Sequence, residues 1–198
     1  TTFPVNYTDV SSAKNFPGTP VEKPLNVTYQ EGIYVGYRYH DTFNVPVAYE
    51  FGHGLSYTNF IVRDLKLGKL SSDGSFEITC KVKNTGSVPG RQVVQVYISA
   101  PGKTIDKPSQ ELKAFLKSKG LAPGESEQMR FSIKGSELAS FYSDRSEWVT
   151  ESGKYEVRLG FSSKNIQKNA FFQIKNDILI EKTHKVLSPE MQLNELKP

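Results

Sequence analysis

Apolar and polar side chains alternate with period two over residues 76–82, where Phe76, Ile78, Cys80 and Val82 share one phase; this predicts a strand with one buried face. Residues 128–134 repeat the pattern with Met129, Phe131 and Ile133 inward, and residues 155–161 repeat it with Tyr155, Val157, Leu159 and Phe161. Residues 92–99 differ. Val94, Val96 and Ile98 occupy one phase while Val93 and Tyr97 occupy the other, so both faces need cover, as in a central strand. Residues 60–67 mix apolar and polar positions, residues 111–119 carry Leu112, Phe115 and Leu116, and residues 170–174 supply a last strand. Turn chemistry separates these runs: SSDGS at 71–75, NTG at 84–86, APGE at 122–125 and ESG at 151–153. Between them a short helical turn over 136–141 is predicted, capped by Ser136.

About seven short strands at this spacing predict an all-β fold, an antiparallel sandwich of immunoglobulin or fibronectin type III kind. Tyr155, just after a glycine turn at the start of the penultimate strand, stands where such sandwiches place a corner tyrosine. Its hydroxyl is expected to bond backbone. Before residue 58 no period holds. Residues 1–30 carry four prolines and many small polar residues, yet Phe3, Val5, Phe16, Leu25 and Tyr29 are too apolar for a free linker. An ordered, irregular arm covering another domain is the expectation.

Composition changes little. Of 198 residues, 37% are hydrophobic and 23% charged, and no apolar run approaches the roughly 20 residues of a membrane span. The net charge of +4 comes from 25 basic residues interleaved with 21 acidic ones, which speaks against nucleic acid as a partner. The basic stretch 164–185 alternates with apolar positions, as the solvated side of a terminal strand does. The opening TTFPVNYTDV has neither the basic end nor the apolar run of a signal peptide. Asn6 and Asn26 begin formal glycosylation acceptors, matches short enough to arise by chance. A single cysteine, Cys80, forms no internal disulfide and no thiolate metal cluster, and its phase marks it as a small buried hydrophobe.

Two stretches carry more information: EGIYVGYRYHD at 31–41 and FGHGLSYT at 51–58. Gly32 and Gly36 allow close approach or positive φ. Ile33, Val35, Tyr37 and Tyr39 alternate against Tyr34, Arg38 and His40, although a helical turn fits the same residues. Arg38 is suited to tie Glu31, Asp41 or a carboxylate of a neighbouring domain. His53 between Gly52 and Gly54 reads as a loop residue, and no phosphate-binding pattern follows.

Together with KPSQELKAF at 107–115, LAPGE at 121–125 and ESGKYEV at 151–157, these motifs resemble, in order, the C-terminal region of glycoside hydrolase family 3 of the β-glucosidase type. FPVNY at 3–7 resembles the segment leaving that family's α/β sandwich domain. One departure is His53, where the family more often has tyrosine. The resemblance implies three parts: residues 1–58 as the tail of an α/β sandwich domain plus linker, 59–185 as a fibronectin type III-like domain, and 186–198 as a C-terminal tail. It also implies a retaining mechanism whose Asp nucleophile and Glu acid/base lie upstream of Thr1.

Glu31 and Asp41 are the tempting local substitutes. A retaining pair stands about 5–5.5 Å apart, whereas ten residues span about 15 Å as helix or about 33 Å extended. A loop could bring them together, but nothing in the sequence demands it; with the catalytic pair implied upstream by the resemblance, no catalytic, substrate-binding or metal-ligating residue is expected in this segment, and no cofactor. Glu31, Gly32, Tyr34, Tyr37, Arg38 and Asp41 are read as interdomain or structural positions. Phe51, Gly52, Gly54, Tyr57 and Tyr155 are read the same way. The expected partners are the upstream catalytic domains of the same polypeptide, which would bind the glucoside. Two other functions fit a sandwich: a carbohydrate-binding module stacking sugars on Trp148 and tyrosines, or a protein-interaction domain.

Overall fold

The structure, a computed structural model, describes residues 1–186 and 194–198. Part of the expected tail 186–198 therefore lies outside the described residues.

Two antiparallel sheets face each other. The first holds β3 (Phe60–Leu67), β4 (Phe76–Asn84) and β7 (Ser126–Ile133) in the order β3-β4-β7. The second holds β5 (Val93–Ser99), β6 (Glu111–Lys117), β10 (Gly153–Gly160) and β11 (Ile166–Ile174) in the order β11-β10-β5-β6. These seven strands make the sandwich, whose two sheets adjoin where β3 meets β11 and β6 meets β7. Two smaller pairings flank it: β1 (Phe3–Pro4) with β2 (Val47–Tyr49), and β8 (Ser140–Tyr142), β9 (Glu147–Thr150) and β12 (Ile178–Lys182) in the order β12-β9-β8.

The core lies between the sheets and comes from the period-two positions. Ile78, Cys80 and Val82 of β4 meet Met129, Phe131 and Ile133 of β7 on one side; Val94, Val96, Ile98, Tyr155, Val157 and Leu159 face them from the other. Burial pushes the Cys80 thiol up to about 11, which keeps it a packed hydrophobe at neutral pH.

The mixed pattern of β3 has a geometric cause. Arg63 pairs with Lys81 but Lys66 with Thr79, so β3 advances three residues while β4 advances two. The extra residue is a β-bulge, with Asp64 at φ 54°. Val62 faces inward before it and Leu65 and Leu67 after it, which turns an apparent mixture into two short runs of opposite phase.

One expectation changes. The helical turn runs from Gly135 to Leu138, begins one residue before the proposed cap, and takes Lys134 as its N-cap. The Glu137 carboxylate accepts the Lys134 N–H at 2.8 Å, doing the work assigned to Ser136. On β6, the edge strand of its sheet, Phe115 and Leu116 are 65% and 42% exposed. Trp148 pairs with Phe141 on the small sheet, with ring centroids 5.3 Å apart, and remains 40% exposed.

Candidate functional site

The stretch 31–58 arrives on the outer face of the four-stranded sheet. Gly32 at φ 53° turns the chain so that Tyr34 N–H donates to the Glu31 carbonyl at 2.8 Å, and Gly36 at φ 55° starts the helix α1 (Tyr37–Thr42). Of the two readings open for this stretch, the helical one holds for Tyr37–Thr42 and the alternating face does not: Tyr34 and His40 are buried while Ile33 and Val35 stay exposed.

Helix α1 closes onto four successive residues at the start of β6. Thr42 Oγ1 accepts the Ser109 N–H at 2.9 Å, and Asp41 Oδ2 accepts Gln110 Nε2 at 3.0 Å. Arg38 pairs with Glu111 at 3.0 Å, and the Tyr37 hydroxyl accepts the Leu112 N–H at 2.8 Å. Each residue of 109–112 thus has one partner on the helix, taken in reverse order along α1. Arg38 ties neither Glu31 nor Asp41, because the helix turns it toward β6. Asp41 also holds Lys164 at 2.8 Å. Buried Gln110 makes full use of its amide: it donates to Asp41 and to the Ser163 carbonyl and accepts from Arg158.

Phe51 follows. Its ring lies 5.2 Å from that of Tyr37, and Tyr37 meets Tyr97 edge-on at 5.7 Å. This explains why both faces of β5 are covered: the phase of Val94 meets the core and the phase of Tyr97 meets the motif. The loop is pinned by Ser163 N–H on the Phe51 carbonyl at 2.9 Å and by the Ser162 hydroxyl on Glu50 at 2.8 Å. Burial works against the Glu50 charge, but Ser162 and the His53 ring, 3.5 Å away, hold its carboxyl below the ordinary range. Gly52, at φ 89°, sits against the Gln95 side chain, where any Cβ would overlap the amide. A Cβ at Gly54 would meet nothing within 4 Å, Leu55 and Tyr57 are almost wholly exposed, and Thr58 is buried again.

Two buried polar centres escape sequence reasoning. The Asn84 side chain accepts from Thr58 and the Gly86 N–H and donates to the carbonyls of Val88 and Leu121, tying the entry of β3 to two loops. Its sequence signal, NTG, reads only as a turn. The second centre is the ion pair Lys107–Glu151, whose side chains are 5% and 2% exposed. Burial opposes the Glu151 charge, yet hydrogen bonds from Lys107, Tyr142 and the Thr104 N–H outweigh it and bring its carboxyl down to about 2. Tyr155, fully buried, donates its hydroxyl to the Glu151 carbonyl at 2.7 Å and stacks on Phe172 at 5.0 Å. Residues 44 apart in sequence cannot be matched as an ion pair without the fold; the KP and ESG turns were the visible trace.

Of the sequence-selected positions, the structure thus gathers Tyr37, Arg38, Asp41, Phe51 and Gly52 on one sheet face. Tyr155 lies in the core, and Gly54 and Tyr57 stand free. Glu31 and Tyr34 lie apart from the α1–β6 contact: Glu31 shares none of Asp41's partners, and among the described residues neither Glu31 Oε2 nor the Tyr34 hydroxyl has a hydrogen-bond partner.

Comparison with known proteins gives concordant matches. A family profile described as fibronectin type III-like domain matches residues 92–163. Thermostable β-glucosidase B of Acetivibrio thermocellus is 34% identical over 94% of the chain and 24% of its own length. A β-glucosidase of Ruminococcus albus is 36% identical over 95% of the chain and 20% of its own length. The chain thus spans about a quarter or less of these relatives. Among solved structures, β-glucosidase 3B from Thermotoga neapolitana, in complex with α-D-glucose, superposes with a TM-score of 0.86 at 49% identity, covering 91% of this chain and 25% of that one. The GH3 β-glucosidase of Bifidobacterium adolescentis gives 0.82 at 32% identity, covering 96% and 27%.

Proposed function

Since the chain belongs to glycoside hydrolase family 3, as the C-terminal region of the β-glucosidase type with its fibronectin type III-like domain, we propose that it is a noncatalytic, stabilising region of a retaining enzyme. In this reading the parent polypeptide hydrolyses terminal β-D-glucosyl or related residues, and its catalytic carboxylates lie in upstream domains that bind the glucoside. Residues 1–58 dock against those domains, and 59–185 form the module that the docked segment carries.

The observation that carries this reading is the closure of α1 on residues 109–112. Tyr37, Arg38 and Asp41, three functional-looking side chains of the signature motif, all have partners inside the sandwich. The motif therefore acts as a fastening. Its other half is supplied by the arm, where Phe3, Val5, Phe16, Leu25 and Tyr29 each expose more than half of their surface. Apolar surface on that scale calls for a partner.

An assay of the purified chain and of the full-length enzyme on an aryl β-glucoside tests the proposal. Hydrolysis is expected only from the full-length enzyme; turnover by the chain alone would overturn the assignment of catalysis upstream. The exposed Trp148–Phe141 pair favours one second reading, a sugar-stacking surface on the small sheet. Affinity electrophoresis through a soluble β-glucan discriminates, since retardation lost in Trp148→Ala would support that surface.

A further inference from the structure

We infer that the upstream polypeptide places a cationic side chain against Glu31, completing an ion pair of which this chain holds only the acidic half. The inference rests on the docking reading and names the chemistry of one contact within it.

Glu31 is 8% exposed, its Oε2 is buried without a hydrogen-bond partner, and among the described residues it enters no ion pair. The other charged groups deeply buried in this chain are compensated, as Glu151 is by Lys107. A buried carboxylate oxygen lacking a donor is the exception that calls for an explanation. It is not alone. Among the described residues the Tyr34 hydroxyl, three residues on, is likewise buried without a partner, and so is the hydroxyl of Thr2, which lies beside Gly36.

Two acidic groups lie near this site, and Lys197, next to the Leu196 that donates to the Gln30 carbonyl, forms no ion pair with Glu31. Glu195 reaches Gly32, its Oε2 lying 3.3 Å from where a Cβ would stand. Burial and the nearby Asp106 charge together push the Tyr34 hydroxyl up from its ordinary value. Among the described residues, no group of three His, Cys, Asp or Glu side chains is placed to hold a metal ion. An organic cation is the complement that remains. Ile33 and Val35, each about half exposed, flank the site. A surface that covered them would also strip the remaining water from Glu31, and a cation on that surface would offset the cost of burying its charge.

The test compares Glu31→Gln in two proteins, the 198-residue chain and the full-length enzyme. The glutamine keeps the shape and removes the charge. In the chain alone, melting temperature is expected to hold or rise, since a poorly compensated charge is removed. In the full-length enzyme, the transition of this region is expected to fall by at least about 3 °C, and residues 1–58 should become cleavable by a dilute protease. Glu31→Lys, which repels a cation, should enlarge both full-length effects. If Glu31→Gln leaves the full-length transition and its protease protection unchanged, or if Glu31→Lys is no worse than Glu31→Gln, the cationic partner is overturned. Failure of the docking reading looks different: residues 1–58 would then be cut equally fast in the wild-type chain and the wild-type full-length enzyme.

Discussion

Glu151 shows how one side chain can decide the acid limit of a fold. Its carboxyl is held at about 2 in the folded protein by Lys107, Tyr142 and Thr104 against the cost of burial. An unfolded glutamate titrates at about 4.3. A depressed folded value means the contribution is present above the unfolded value and is lost as pH falls from there toward about 2. Denaturant titrations should accordingly show stability declining over that window, with the decline reduced in Glu151→Gln. At neutral pH, Lys107→Ala leaves the carboxylate buried without its counter-charge and should cost about 3–5 kcal/mol. Gly52 makes a second residue-level case. Gly52→Ala must adopt φ near 89° and displace the Gln95 amide, so a loss of about 1–3 kcal/mol in urea denaturation is expected. Its glycine was visible in the sequence; the reason for it, a neighbour 43 positions away, was not.

Among elements, the long strands were legible because a buried face writes period two into nine residues of β4 or eight of β7. The bulge in β3 hid its phase until the register showed the inserted residue. Strands β8 and β9, three and four residues long, carry too few positions for any period, so the small sheet went unread. Helix α1 has six residues, and its apolar positions suit an extended strand as well as a helix. Only Gly36 at its start separates the two. The α1–β6 contact can be probed one bond at a time. Tyr37→Phe keeps the ring against Phe51 and Tyr97 but removes the acceptor for the Leu112 N–H. A cost of about 1–2 kcal/mol is expected, together with faster hydrogen exchange at the Leu112 amide; unchanged exchange would show that the phenol is not the acceptor.

For the whole molecule, the sandwich and its unequal appendage follow from where apolar surface finds cover. The module from Phe60 onward buries its own core, whereas the arm presents its aromatics outward. Limited proteolysis of the chain should therefore cut first between residues 3 and 29 and again near Leu55 to Tyr57. Residues 37–53 should resist, since α1 and the Phe51 loop are bonded to the sheet. Early cleavage inside 37–53 would mean that this contact is weaker than its bonds suggest.

The free stretch 54–57 has a mechanical consequence. Its two ends are anchored, at Phe51 on Ser163 and at Thr58 on Asn84, and its four residues could extend to about 14 Å. Tension applied to the arm would therefore not travel first along the covalent chain. It would load the row of bonds between α1 and residues 109–112, which opens from one end, while 54–57 stays slack. Under force the module would be released in two stages, with the helix peeling away before any strand of the sandwich bears load.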